Sequence, residues 1–477
     1  MADSQLQERI AYIKMKIPFQ KIFDEAALLP KIRRSIYLMT LANTFGTLFA
    51  VVTGSGSSPL TGYAGYLGAG DFIFGLLTAI PLAAALLQIP IASLVSRTQK
   101  RKKYMTTYGL FARALWLPIA LVPLFIPASH SSFRLWTVIL LIGISSAYSS
   151  FLNVCWMPWM ADLVPAEIRG RWLSKRDSIT SIASVTMGIL VAGILDRMTG
   201  YQGYVLVFVI ASILGVLDMC CFFFVEEVYK TPPQKLKLLP VLTQVFHNKP
   251  FYRFMLFWTA WCFTANMSGA YLARYALTEM GLSYMQYTLC SQVMAAAVTV
   301  LVVSYWGRLL DHFGSKPVLW CSCIVASITP LFFLFSTYGS IWPTLLHNLI
   351  GAAFWSGANL AATSLQLSAS PDEQRPSYVA VFSCVTSLLG AFLGILTGGV
   401  ILEGIRSNPV LYSSIPDRYQ FMIAVSVILR VCSVLIFIPR LDNSGGYTVS
   451  GMFQELSLRR KAQLHYLHYW WQRRKRR

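Results

Sequence analysis

Long apolar runs recur along the whole chain, and short polar or basic segments separate them. A helix needs about 20 apolar residues to cross the hydrocarbon core of a bilayer, and these runs are of that length. The pattern predicts twelve membrane-spanning helices, at residues 35–55, 70–95, 105–127, 135–160, 178–199, 203–225, 252–275, 284–306, 318–337, 341–367, 378–402 and 419–439.

Composition supports this interpretation. The 477 residues are 55% hydrophobic and only 13% charged, which is too apolar for a soluble core of this length. We therefore expect an all-α integral membrane protein. The nine cysteines all fall within the apolar runs, where thiols behave as small buried hydrophobes, and Cys321 and Cys323 diverge around a helix. We expect no disulfide framework, no metal site and no cofactor.

The net charge of +20 could indicate a nucleic-acid partner, so the placement of the 40 Lys and Arg residues matters. With both termini on one side, 33 of them fall on that side and five on the other. Basic loops are retained in the cytoplasm, so this asymmetry reports topology. We expect both termini to be cytoplasmic, in the plasma (inner) membrane, and we expect no nucleic-acid partner.

Two terminal segments carry apolar residues at helical spacing among charged ones. In 1–34 these are Leu6, Ile10, Ile13 and Ile17. In 452–477, within the basic tail 441–477, leucines and tryptophans alternate with basic residues that include the closing basic cluster. Both read as helices on the membrane surface, which predicts contact with anionic lipids of the inner leaflet. RNA binding by the basic aromatic tail is the alternative.

The chain repeats itself at a shift of 206 residues, which aligns Asn153 with Asn359 and Arg169 with Arg375. A shift of six spans preserves helix direction, so the halves are parallel repeats about an axis along the membrane normal. The predicted domains are an N-terminal bundle at 35–225, a linker at 226–251 and a C-terminal bundle at 252–440. In span 11, glycines spaced four apart, at 390, 394 and 398, favour close helix packing.

Residues 307–317 read Gly-Arg-Leu-Leu-Asp-His-Phe-Gly-Ser-Lys-Pro. This segment closely resembles the Gly-x-Leu-x-Asp-Arg-x-Gly-Arg-Arg signature of the major facilitator superfamily, matching it at Gly307, Asp311, Gly314 and Lys316. A weaker copy at 92–102 has Ser96 in place of the Asp and keeps the basic residue Arg97.

The resemblance implies that Asp311 caps a neighbouring helix and meets a basic loop residue, forming a latch for one of two alternating states. Arg375 is the candidate partner, and Arg169 is its repeat equivalent. Because Ser96 carries no charge, the N-terminal latch should be weaker, unless Asp162 or Glu167 supplies the acid. Ordinary solvation of these loops is the alternative.

The resemblance also implies that the first and fourth helices of each half line a central cavity. The polar and aromatic residues there are Asn43, Thr44, Ser149, Asn153, Trp258, Trp261, Asn266, Asn348, Trp355 and Asn359. Their polar groups need partners within a membrane, and a solute could provide them. Hydrogen bonds between helices are the alternative. The repeat-related pair Asn153 and Asn359 is the strongest candidate.

Two ionisable residues, Arg113 in span 3 and Asp218 in span 6, fall within the same half at similar depths. We expect them to form a structural ion pair. Proton coupling through Asp218, or through His347, is the alternative.

These features predict a secondary transporter of a small solute that acts as a monomer by alternating access between the two halves. An enzyme would need a nucleophile, paired carboxylates or a metal cluster, and the sequence offers none of these patterns. The alternative is a receptor or lipid-handling protein of the same fold without solute flux.

Overall fold

A computed structural model describes residues 30–98, 100–198, 200–227, 244–371, 375–442, 447, 449–452 and 454–455. The predicted surface helices of the two tails and most of the predicted linker lie outside these residues.

Twelve long helical segments cover most of the described chain, and each overlaps a predicted span, although the fifth begins 12 residues before its predicted start and the eighth ends 7 residues after its predicted end. We label them α1 to α12. Their bounds are α1 Pro30–Thr53, α2 Asp71–Ala83 and Gln88–Thr98, α3 Arg101–Ala114 and Trp116–Phe125, α4 Ser131–Leu163, α5 Ala166–Arg197, α6 Tyr201–Phe223, α7 Lys249–Gly269, α8 Tyr284–Thr288 and Ala295–Phe313, α9 Ser315–Ile328, α10 Trp342–Ala369, α11 Arg375–Val385 and Leu393–Ser407, and α12 Arg418–Phe437.

Ten helices among the described residues are long and apolar enough to cross a membrane. The other two long segments are α7 and α10, which carry the tryptophans and asparagines predicted to line a cavity. Their polar side chains lower the mean hydropathy, while their lengths of 21 and 28 residues suit a membrane-spanning helix. The all-α membrane fold is confirmed.

The helices form two bundles, α1–α6 and α7–α12. We call the end where α1 begins and α12 ends the terminal face, and the opposite end the far face. Towards the far face, one hydrophobic cluster continues through both bundles and includes Phe74 of α2 and Ile395 of α11. Towards the terminal face, each bundle has a separate cluster, one around Trp159 and the other around Phe254. The bundles therefore share a core at one end only.

Helix α2 packs against α11 and α5 packs against α8 where the two bundles meet. Glycines allow this approach. A Cβ on Gly188 of α5 would overlap the Gln292 amide, and one on Gly399 of α11 would lie 3.1 Å from the Phe72 Cα of α2. Helices α8 and α11 each contain a π-helical turn, at Leu289–Met294 and Thr386–Phe392. Such turns offset the helical register locally.

The glycines of α11 at 390, 394 and 398 lie directly against α7. A Cβ on each would meet a backbone oxygen of α7, those of Thr259, Phe263 and Met267 respectively. Both sets are spaced by four residues, so one helical face contacts another along two turns. The close packing predicted from the glycine spacing is confirmed.

Candidate functional site

A cavity of about 280 Å³ lies in the N-terminal bundle, between α1, α3, α4 and α6. Polar groups from all four helices meet there. Its polar and charged lining residues are Asn43, Thr47, Arg113, Asn153 and Asp218. The apolar remainder includes Leu152, Trp156 and Phe222. A cavity with a few convergent polar groups in an apolar wall is typical of a small-molecule site.

Asp218 and Arg113 lie close together at this cavity. Arg113 Nη2 is 3.3 Å from Asp218 Oδ2, and the Asp218 side chain is only 4% exposed. The Arg113 guanidinium also lies 4.1 Å from the centre of the Phe49 ring. A Cβ on Gly46 would lie 2.8 Å from Asp218 Oδ2, so the absence of a side chain there leaves room for the carboxylate. The Arg113 Nε atom has no hydrogen-bond partner among the described residues.

Asn43 and Asn153 are the two predicted solute contacts that line this cavity. Asn153 is exposed, and no described residue accepts from or donates to its amide. Thr44 donates to the Thr40 carbonyl one turn earlier at 2.9 Å, and Ser149 is half-buried without lining the cavity. Asn43 and Asn153 are therefore the predicted residues of the N-terminal bundle that reach this cavity, and Asn153 is the more exposed of the two.

The predicted solute contacts of the C-terminal bundle fall into two groups, those paired within the protein and those that are exposed. Trp261 is fully buried and donates to the Ser327 hydroxyl at 3.0 Å, while Asn266 and Asn348 donate to carbonyls of their own helices. These contacts fit the alternative of hydrogen bonding within and between helices. Asn359 is exposed like its repeat equivalent Asn153.

Aromatic rings dominate this part of the C-terminal bundle. The Trp261 ring centre lies 5.2 Å from that of Trp258 and 4.5 Å from that of Trp355. Trp258 is buried and Trp355 is half-buried. The two bundles thus present different chemistry, since the N-terminal cavity contains an ion pair and the tryptophan group is uncharged.

At the far face, a buried carboxylate joins the two bundles. Asp71, the first residue of α2, is fully buried. Its Oδ1 accepts from the Tyr419 hydroxyl at 2.6 Å and lies 3.2 Å from Arg274 Nε, and its Oδ2 lies 3.4 Å from Arg418 Nη2. We call these four residues the far-face cluster. Two cations and a hydroxyl of one bundle hold a single anion of the other.

Two further carboxylates cap helices of the opposite bundle at this end. Glu403, near the end of α11, accepts from the Asp71 backbone amide at 3.1 Å. Asp196, at the end of α5, accepts from the amides of Tyr284 and Met285 at the start of α8, at 2.8 and 2.9 Å. Carboxylates stabilise a helix N-terminus because they satisfy free amides and oppose the helix dipole. The two caps lie at corresponding helix pairs of the repeat, from the end of α11 to the start of α2 and from the end of α5 to the start of α8.

The sequence prediction did not include the far-face cluster. Its signal was present in the five basic residues on the sparsely charged side, two of which are Arg274 and Arg418. Asp71 stands directly before an apolar run on that same side. Arginines on that side need an acidic partner, and the position of Asp71 makes it a candidate.

The predicted latch residues lie at the terminal face. Asp311 is exposed in the last turn of α8, and no described residue pairs with it. Gly314 joins α8 directly to α9 with φ 82°, a conformation that residues with a side chain rarely adopt. Arg375 begins α11, and the Ser96 side chain lies outside the described part of the chain. In this conformation Asp311 does not cap a helix.

The basic latch residues instead hold helix ends. Lys316 donates to the carbonyls of Pro439 and Leu441 beyond α12, at 3.0 and 2.6 Å. Arg169 donates to the carbonyls of Ala161 and Val164 at the end of α4. Cations satisfy free carbonyls there and match the helix dipole. Arg97 is exposed at the end of α2. Gly307, the first glycine of the signature, lies in the interior of α8.

The N-terminal bundle repeats part of this arrangement. Lys102 donates to the Val225 carbonyl after α6 at 2.8 Å, as Lys316 does after α12. Asp162 pairs with Arg101 at 2.5 Å. Asp162 is one of the two acids predicted to replace the missing signature Asp at Ser96, and Arg101 belongs to the weaker signature copy at 92–102. Both contacts lie within one bundle, and neither links the two.

Comparison with known proteins identifies the fold. A family model described as Major Facilitator Superfamily matches residues 39–444. Among solved structures, a bacterial homolog of the human lysosomal transporter Spinster, inward-facing and occupied, gives a TM-score of 0.66 at 16% identity, covering 87% of this chain and 98% of that one. The inward-open xylose transporter XylE from E. coli gives 0.63 at 15% identity, covering 88% and 99%. The nucleoside transporter NupG gives 0.65 at 12% identity, covering 86% and 100%. No curated protein sequence matches the chain.

Proposed function

This chain belongs to the major facilitator superfamily, a family of membrane transporters, and we propose that it carries a small solute by alternating access between its two bundles. The single observation that carries the proposal is the distribution of the hydrophobic core, which is continuous across the bundles at the far face and divided at the terminal face. Two bodies joined at one end only are suited to rocking about the region between them.

Polar contacts also link the bundles near the far face. They are the far-face cluster, the two carboxylate caps and the Tyr204–Tyr284 hydroxyl pair. Buried ion pairs break only at a large cost unless water replaces the lost partner. The far-face cluster therefore acts as a gate that is closed in this conformation.

We propose that the terminal face is cytoplasmic in the plasma (inner) membrane, because the basic residues concentrate there. The conformation is then inward-facing. A latch at Asp311 that holds the outward-facing state would be open here, which agrees with the exposure of this residue. We further propose that the monomer, with bundles at 35–225 and 252–440, is the transporting unit, and that its basic tails contact anionic lipid.

The cavity supports a small polar solute as the substrate. Asn153 offers an unused amide at its wall, and the Arg113–Asp218 pair offers charge at its base. In the C-terminal bundle, the half-buried Trp355 packs on the buried Trp261 and is the tryptophan of this group that can present an apolar ring to a solute.

Counterflow in proteoliposomes tests this function against that of a receptor. Purified protein should exchange a labelled solute, chosen by a thermal-shift screen of sugars, nucleosides and organic acids, for the same unlabelled solute. Asn153→Ala should reduce that exchange more than tenfold, if one hydrogen bond to a polar solute is worth about 1.5 kcal/mol. Ser149→Ala, on the same helix but outside the cavity, is the matched control. Binding without exchange for every stabilising solute would favour the receptor.

Replacing Asp218 separates a structural ion pair from proton coupling. Asp218→Asn leaves the buried Arg113 guanidinium without its counter-charge, so a structural role predicts a loss of folded protein after extraction. A coupling role predicts folded protein that still exchanges solute but no longer accumulates it against a gradient. Size-exclusion profiles and uptake with and without a pH gradient measure the two. Full accumulation by a normally folded variant would contradict both roles.

A further inference from the structure

A pocket of about 830 Å³ lies at the far face and is lined by three of the four residues of the far-face cluster, Arg274, Arg418 and Tyr419. Three arginines line it, Arg274, Arg406 and Arg418, together with two acids, Glu279 and Asp417. The pocket is separate from the cavity in the N-terminal bundle, since the two share no lining residue.

Of the two acids that line this pocket, Asp417 is already engaged by several donors, whereas Glu279 is 48% exposed. Asp417 accepts from two backbone amides at the start of α12 and from the Tyr275 hydroxyl, at 2.8 to 3.1 Å. Asp71 is buried beneath the arginines, and Glu279 Oε1 lies 3.9 Å from Arg418 Nη2, beyond hydrogen-bond distance.

Several arginine donors are left without acceptors. Arg274 Nη1 and Arg418 Nε are buried and have no hydrogen-bond partner within the described chain. The Arg274 side chain as a whole is only 11% exposed. Arg406 is exposed at the rim, and the described residues provide no partner for it. Buried donors are almost always paired in folded proteins, so these unpaired groups point to an acceptor that comes from outside the chain.

We propose that this pocket binds an oxyanion, the carboxylate or phosphate group of a small solute or lipid headgroup. Guanidinium groups present planar pairs of donors that match the oxygens of both anions. The oxyanion would contact Arg406 and the unpaired atoms of Arg274 and Arg418.

The same arginines hold Asp71 through their other nitrogens, Arg274 Nε and Arg418 Nη2, so a bound anion reduces the net positive charge that attracts Asp71. Anion binding therefore weakens the closed far-face cluster, and the pocket links arrival of an anion to opening of this end. This coupling, but not the binding itself, rests on the proposed alternating access.

Inorganic phosphate is the probe for the binding site. Full-length protein in nanodiscs of neutral phosphatidylcholine is titrated with phosphate by isothermal calorimetry, with chloride adjusted to hold the ionic strength constant. We expect saturable binding. Arg406→Gln should weaken it roughly tenfold, because one charge-assisted contact is lost.

Arg197→Gln is the matched control, since Arg197 is also exposed at the far face but does not line the pocket, and it should leave the affinity unchanged. Asp71→Asn should tighten phosphate binding because the carboxylate charge is removed. Non-saturable heats, or equal losses in Arg406→Gln and Arg197→Gln, would overturn the proposal.

Replacing part of the neutral lipid by phosphatidylglycerol identifies the source of the anion. If phosphate binding is suppressed by that lipid in the wild type, a headgroup occupies the pocket, and if it is unchanged, a soluble anion does. Calorimetry requires no transport. An absence of counterflow would therefore defeat the proposed function and leave this site standing, while an absence of phosphate binding would do the reverse.

Discussion

Asp71→Asn is expected to shift the protein from the conformation closed at the far face towards one that is open there. In the closed state the substitution leaves Arg274 and Arg418 facing each other without the anion between them. Removing one partner of a buried ion pair costs about 3–5 kcal/mol when the remaining charge stays buried. Opening the far face hydrates both arginines and avoids this cost, so the population should move in that direction.

Distances between spin labels measure the shift. Exposed far-face positions are available on each bundle, at His130 before α4 and at Ser413 between α11 and α12. With the nine native cysteines replaced, labels at these two sites should report a longer distance in Asp71→Asn than in the unsubstituted background. A shift of 3 kcal/mol would change the ratio of the two states more than a hundredfold.

Glu279→Gln is the control for this experiment. Glu279 is 48% exposed and lies 3.9 Å from the same Arg418. Exposed ion pairs contribute about 0–1 kcal/mol, so the distance distribution of Glu279→Gln should match that of the unsubstituted background. An unchanged distribution in Asp71→Asn, or an equal change in Glu279→Gln, would show that the buried carboxylate does not hold the bundles together.

The fold was predictable because a membrane imposes strong rules on sequence. Every span must be apolar and about 20 residues long, so the number and positions of the helices can be predicted from the sequence. The twofold repeat then followed from matches such as Asn153 with Asn359. Helices α7 and α10 mark the limit of hydropathy alone, because their asparagines and tryptophans offset their apolar residues.

Contacts between bundles were harder to predict, because they depend on the conformational state as well as on the sequence. Arg113 and Asp218 lie in one bundle, where helix order and depth suggest their proximity. Asp71 and Tyr419 are 348 residues apart and meet in this conformation, in which the bundles contact each other at the far face. Asp311 is the converse case. The motif predicts that it has a partner in one of two states, and in this conformation no described residue pairs with it.

Gly398→Ala is expected to destabilise the folded protein strongly. Gly398 of α11 lies against α7, and an added methyl group would overlap the Met267 carbonyl oxygen. Relief requires the two helices to separate, because a backbone oxygen within a helix has no alternative rotamer. Overpacking of this kind costs about 1–3 kcal/mol or more, which exceeds the gain of roughly 0.5–1 kcal/mol from replacing a helical glycine by alanine.

Gly404→Ala provides the opposite case on the same helix. A Cβ at Gly404 would meet no atom within 4 Å, so only the gain in helix propensity remains. In thermal unfolding followed by size-exclusion chromatography in one detergent, Gly398→Ala should therefore lower the midpoint and Gly404→Ala should leave it equal or slightly higher. If Gly398→Ala unfolded at the wild-type temperature, the space between α7 and α11 would have to be wide enough for the added methyl group. The glycine face would then be a loose surface along which the two helices slide.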